Sequence, residues 1–318
     1  MILLMISHRV FSRFFLTRSP SVLPVRSLGV SPVSILHGRH FSAAAPGPPD
    51  SCPDANAHFR IREDSSKDSP DKLDDPTLYP DLSLHPIWTR EEQLAVKPTH
   101  RPPKLLHERL AYHVIQGIRV AFDYGSGYAF GKLTEAKLVR RVIFLETVAG
   151  IPGMVGASLR HLRSLRRIKR DMGWISTLLQ EAENERRHML LFSELKNPSP
   201  LFRAMVLGAQ GVFWNGFFIS YLISPRFCHS FVGYLEEEAV RTYTHAIESI
   251  ENGELPEWKT LPAPPSAIRY WRMAPDATML DVLYNVRADE AWHADTNHTL
   301  SDLGVDDMNP HAGKMHGR

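Results

Sequence analysis

Six residues of this chain are of types, and at spacings, that hold metal ions: Glu146, Glu185, His188, Glu236, Glu290 and His293. They repeat one order twice. A lone glutamate sits in an apolar run (VIFLETV, then VGYLEEEAV), and a Glu-x-x-His follows it (AENERRHM, then ADEAWHA). On a helix, positions i and i+3 share a face one turn apart. Four antiparallel helices that turn these groups inward build a cage for two iron or manganese ions: two give one Glu each, two give Glu-x-x-His. One Glu-x-x-His arises readily by chance; two of them, each preceded by a glutamate in an apolar helical segment, do not. Carboxylate oxygens with two imidazoles suit iron or manganese, whereas closed zinc sites favour Cys and His. Four glutamate charges offset two divalent cations, so the group can be buried near neutrality. Any of these glutamates alone would read as a surface ion-pair former; the constellation reverses that.

The neighbouring positions can extend the site. Helical phase lets only one of Glu236, Glu237 and Glu238 face squarely inward. Tyr243 lies two turns beyond Glu236 on the same face, close to the metals. It could serve as a one-electron reservoir, or simply bond a ligand carboxylate. Arg141 and Leu145 precede Glu146, and Ala239 and Thr242 follow Glu236, so both sets can line one apolar entry beside the cage. For Leu145 and Ala239 alone, core packing is the plainer reading.

The cage needs helices, and the pattern supplies six: about Pro103 to Gly125, Thr134 to Lys169, Gly173 to Leu195, Leu201 to Ile223, Pro225 to Asn252 and Ala277 to Leu300. Breakers separate them, at Asn197-Pro198-Ser199-Pro200, at Ser224-Pro225 and in the Pro-rich stretch Leu261 to Ser266. Pro152 and Gly153 are expected to kink the second. The fold class is therefore all-α: a ferritin-like four-helix bundle with a di-iron core plus two additional long helices, attached to a membrane from one side.

That attachment follows from a conflict. From Ala204 to Pro225 no residue is charged, and hydropathy alone allows a span. A crossing of about 30 Å would separate Glu185 and His188, before the run, from Glu236, after it. The run therefore lies in one leaflet or packs in the core, with Leu105, Leu106, Leu110, Val114, Ile118 and Ala121 of the first helix as a second apolar surface. Arg160, Arg163, Arg166, Arg167 and Arg170 would form a stripe, either against anionic headgroups or simply solvated. No motif supports nucleic-acid binding.

The wording of four segments, FLETVAGIPGMVG, EAENERRHML, GYLEEEAVRTYTHAI and NVRADEAWHADTNH, resembles the metal-binding motifs of the alternative oxidases, the cyanide-insensitive terminal oxidases of mitochondria. The resemblance runs from about Trp88 to Leu303. It picks Glu236 as the inward ligand, with Glu238 in the quinol pocket or behind the ligands and Glu237 solvated. It implies a network of Asn184, Asp289 and Tyr243 behind the ligands. It also implies a quinol pocket that adds Arg119 and Asp123 to Arg141, Leu145, Glu238, Ala239 and Thr242, with Arg141 and Thr242 bonding the quinol head. Tyr270 and Trp271 match family positions, but core packing is their default reading. The implied cofactor is a pair of non-haem irons. The implied reaction is oxidation of ubiquinol and reduction of O2 to water without proton pumping, and the apolar run offers no ionisable groups for a proton channel. Partners would be ubiquinol, O2, lipid of one leaflet and a second copy of the chain. Competing readings are a di-iron hydroxylase of quinone biosynthesis, which would lack the LET and LEEEA wording, a ferritin-like iron store, and the related plastid oxidase.

The ends of the chain read differently. Residues 1 to 49 lack Asp and Glu and carry scattered Arg and Ser, the make-up of a mitochondrial transit peptide, here ending near Phe41. A secretory signal is the alternative, but arginines interrupt its apolar runs. Residues 42–87 read as a flexible arm, residues 88–303 as the oxidase domain and 304–318 as a tail. The expected location is the inner mitochondrial membrane, on its matrix side. Two cysteines, Cys52 and Cys228, exclude a disulfide framework. Plant relatives use an arm cysteine for a regulatory disulfide, but the residues around Cys52 lend that no support. The net charge of +2 is small and owes much to the basic leader.

Overall fold

A computed structural model of the chain describes residues 85–312. The leader, most of the arm and Cys52 lie outside the described residues. Eight α-helices follow in order: α1 Arg90–Ala95, α2 Leu106–Gly125, α3 Glu135–Arg167, α4 Trp174–Leu195, α5 Pro200–Ile223, α6 Pro225–Glu251, α7 Pro265–Trp271 and α8 Met279–Asp302. A short 3-10 turn, Pro256–Lys259, stands between α6 and α7. No strand occurs among the described residues.

The two sharpest breaks are built alike. Ser199 and Ser224 each accept a hydrogen bond from the backbone N–H three residues on, at 3.2 Å. Pro200 and Pro225 then take the first helical position, where the missing N–H costs nothing. The same chemistry explains α7, which the Pro-rich stretch was expected to exclude: Pro265 opens that helix rather than ending one. Helix α3 runs unbroken through Pro152.

The bundle pairs α3 with α4 and α6 with α8. Glycine permits the first pairing. A Cβ on Gly153 would lie 2.4 Å from the Leu178 carbonyl, and one on Gly150 would lie 3.1 Å from that of Ala182. Larger residues would push α3 off α4 and pull the metal ligands apart. Below the ligands Val139, Ile143, Ile247, Val282 and Leu283 form the main core. Each fully buried side chain of this kind contributes about 1.5–3 kcal/mol. A second core, including Ile115, Val155, Phe217 and Phe231, joins α2 and α5 to the bundle.

Those two helices keep their outer faces bare. Leu106, Leu110, Ile118 and Val120 of α2 are exposed, as are Leu201, Leu207, Val212, Ile219 and Ile223 of α5. By length and composition α3 and α5 could both cross a membrane. Helix α3 is a ligand-bearing helix of the bundle, whereas only Phe217 and Tyr221 of α5 are buried.

The arginine stripe is not one stripe. Arg160 is buried and holds Asp171 at 2.8 Å, and Arg163 and Arg167 both pair with Asp306. Residues 304–312, read as tail, pack on α4: Asn309 bonds the Gly173 carbonyl and Thr177, and Trp174 donates to the Asp307 carbonyl.

Candidate metal centre

Four bundle helices deliver the six predicted ligands to one buried place. Glu146 comes from α3, Glu185 and His188 from α4, Glu236 from α6, and Glu290 and His293 from α8. Their donor atoms fall into two overlapping groups. Glu146, Glu185, His188 and Glu290 form one; Glu185, Glu236, Glu290 and His293 form the other; within each, the atoms lie within 4.8 Å of one another. Glu185 and Glu290 belong to both, which is the arrangement of bridging carboxylates between two ions.

The residues fit cations and fit little else. Glu146 Oε2, His188 Nδ1 and Glu290 Oε2 are buried without a hydrogen-bond partner, and such groups are costly unless something else satisfies them. The electrostatics agree. Burial, with the charges of Glu290 and Glu146, pushes the Glu185 carboxyl well above the carboxylate range. Burial, with Glu290 and Glu185, does the same to Glu236. Burial works against charge on His188 and His293 too, yet the surrounding carboxylates outweigh it and push both up. Divalent cations would remove this crowding of like charge. The all-oxygen-and-imidazole donor set suits iron or manganese.

Behind the ligands, Asp289 is a hub. Its Oδ2 accepts from His188 Nε2 at 3.1 Å, from Asn184 Nδ2 at 3.1 Å and from Trp271 Nε1 at 3.0 Å. Its Oδ1 accepts from Trp88 Nε1 at 2.6 Å. Burial opposes the Asp289 charge, but the His188 bond more than compensates and holds its carboxyl below the usual range. His188 thereby keeps Nδ1 free to face the cluster. Asn184 also donates to the Tyr270 hydroxyl at 2.8 Å. Tyr243 is not bonded to this hub: its hydroxyl donates to Glu146 Oε1. Sequence reasoning missed Trp88, which reaches Asp289 from a distant part of the chain that carries no motif.

A cavity of about 250 Å3 opens beside the cluster. Of the residues expected around a quinol, Arg119, Arg141, Leu145, Glu238, Ala239 and Thr242 line it, together with Tyr243. Asp123 does not line it but ion-pairs with Arg141 and, at 3.4 Å, with Arg119. Thr242 Oγ1 is turned to the Glu238 carbonyl at 2.9 Å. Glu238 holds Arg119, Arg241 and Gln116.

Glu237 corrects the sequence reading. It was expected to be solvated, yet it is 4% exposed. Its carboxylate accepts from His298 Nε2 at 2.8 Å, His100 Nδ1 at 2.9 Å and the Arg101 N–H at 2.9 Å. Helix α6 is buried almost all round, so a residue facing away from the metals meets the strap 96–105 instead of water.

The comparisons with known proteins agree with this geometry. A family model described as alternative oxidase matches residues 88–302. The chain belongs to the alternative oxidase family. It is 55% identical over 246 residues to a protein of Ajellomyces capsulatus named "Alternative oxidase, mitochondrial", covering 72% of this chain and 69% of that one. Proteins of the same name from Aspergillus niger (53% over 243 residues, 73% and 69% covered) and Neurospora crassa (48% over 246 residues, 71% and 68% covered) are similar too. As a member of that family the chain is a terminal oxidase, a ubiquinol:oxygen oxidoreductase of mitochondria. The expectation of an all-α fold with a ferritin-like carboxylate cluster holds.

Proposed function

We propose that the cluster holds two iron ions and that ubiquinol is oxidised in the adjoining cavity. Glu146, His188 and the shared Glu185 and Glu290 would hold one ion; Glu236, His293 and the same shared pair would hold the other. When bound, the metal pair would supply the one-electron chemistry that joins a two-electron donor to O2. Two quinols yield four electrons and four protons, the number consumed in forming two waters, so turnover needs no net proton uptake.

The chain's own residues bind and orient. Arg141 is tied to Asp123 and lies over the Tyr128 ring at 4.1 Å, but its Nε is a buried donor with no partner. That N–H is the group we assign to the quinol oxygen, ahead of Thr242. Tyr243 spans the cavity wall and Glu146, so its hydroxyl can pass or hold a proton between quinol and ligand. Asp289 keeps His188 in one tautomer with Nδ1 toward the metals. The exposed apolar faces of α2 and α5 support seating on one leaflet of the inner mitochondrial membrane from the matrix side. Quinol then reaches the cavity from the lipid. We further propose that two copies associate, as family membership implies.

The observation that carries the reading is the pair of donor groups sharing Glu185 and Glu290 beside an apolar cavity. Oxygen uptake by membranes containing the protein, driven by ubiquinol in the presence of cyanide, tests it. Cyanide-resistant uptake that disappears in His293→Ala supports the proposal. Bound iron without quinol-driven uptake would move the function to hydroxylation or iron storage.

A further inference from the structure

A second recess, of about 580 Å3, lies where the end of α2, the start of α3 and the start of α5 meet. Phe144, Phe202, Leu201 and Met205 give it apolar walls, and Lys137 and Arg140 stand along it. Its charge is one-sided. Asp123, the nearby acid of α2, is committed to Arg141 and Arg119. Lys137 donates to the carbonyls of Phe130 and Lys132, which leaves its charge intact. Arg140 is exposed and has no ion pair or hydrogen bond among the described residues. This differs from the basic end of α3, where Asp171 and Asp306 already meet Arg160, Arg163 and Arg167. The recess is also continuous with the bare face of α5: Leu201 and Met205 line it and are 74% and 54% exposed.

We propose that this recess binds one anionic phospholipid, with its phosphate between Lys137 and Arg140 and one acyl chain against Phe144, Phe202 and Met205. The inference rests on the membrane seating proposed above and adds a headgroup preference to it. Quinol does not fit the role, because its head is neutral and leaves both cations unmatched. Guanidinium and ammonium groups without acid partners recognise phosphate, and the aromatic and thioether walls need hydrocarbon. A bare phosphate would meet only half of the site.

Thermal unfolding of the detergent-solubilised full chain tests this. The probes are dihexanoyl phosphatidylglycerol, dihexanoyl phosphatidylcholine and inorganic phosphate, applied to wild type and to the double variant Lys137→Gln/Arg140→Gln. The expected result is a saturable rise in Tm with the phosphatidylglycerol only. The double variant should need roughly 30-fold more of that lipid, since each lysine or arginine near an anionic headgroup contributes about a kilocalorie per mole. Equal response to both lipids, a rise with inorganic phosphate alone, or an unchanged response in the double variant would overturn the proposal. The wild-type comparison decides alone if the double variant fails to fold. Pelleting with phosphatidylcholine vesicles separates the two ideas. Wild type that pellets but shows no lipid preference keeps the membrane seating and loses the headgroup site. Wild type that never pellets loses both.

Discussion

The two Glu-x-x-His halves are matched in sequence and unmatched in surroundings. His188 is held at 3.1 Å by Asp289, an ionised carboxylate that Asn184, Trp271 and Trp88 also bond, and Glu146 beside it accepts from Tyr243. Among the described residues no carboxylate stands behind His293 in the same way; its Nδ1 lies 2.7 Å from Glu185 and 3.7 Å from Glu290, among the ligands themselves. An additional buried acid whose charge is felt at His293 is Glu181, which accepts from Asn297 at 3.2 and 3.1 Å and whose carboxyl burial pushes up to about 7. The doubled motif therefore sets which residues are ligands, while the side chains behind them make the halves different. One half is oriented by a fixed charge and a tyrosine, and the other has beside it a carboxyl whose charge burial opposes.

Substitutions can break this contrast, and the shared ligands should break it most. Glu185→Ala removes a donor from both groups, so quinol-driven oxygen uptake should vanish; retained full activity would overturn the ligand assignment. Next comes the asymmetry itself. Asp289→Asn should lower activity or iron affinity by about 10- to 100-fold, because His188 loses the acceptor that fixes its tautomer. Glu181→Gln should cost clearly less, since it holds no ligand ring by a hydrogen bond among the described contacts. Equal losses in the two variants, measured by iron titration, would mean that the halves are equivalent. Tyr243→Phe should keep its iron and lower turnover by about tenfold, the scale of one hydrogen bond to a charged group; loss of iron instead would make Tyr243 a support of Glu146 only.

The six ligands and the long helices were legible because period and spacing are local signals, and the Ser-Pro pairs marked the starts of α5 and α6. Helix α7 was not, because a proline that opens a helix looks in sequence like one that ends it. Trp88 was invisible because its partner Asp289 is 201 residues away. Glu237 was misread because helical phase says which way a side chain points and not what lies there.

Glu237 gives the smallest effect on catalysis and a clear one on stability. Glu237→Ala would leave His298, His100 and the Arg101 N–H without their acceptor, lowering stability by about 2–4 kcal/mol. Burial works against the Glu237 charge, but these donors hold its carboxyl below the usual range. Its stabilising contribution is thus complete above the unfolded value of about 4.5 and fades as pH falls through the lower folded value. The gap in unfolding free energy between wild type and variant should be widest at neutral pH and narrow in acid. A gap that widened in acid would contradict the assignment.

The most direct test of the central claim is the iron count per chain in purified wild type and Glu236→Ala. Glu236 belongs to one donor group only. The account predicts two irons in wild type and one in the variant, the first group staying intact. Two irons retained in Glu236→Ala, or a single iron in wild type, would contradict a pair of sites sharing Glu185 and Glu290.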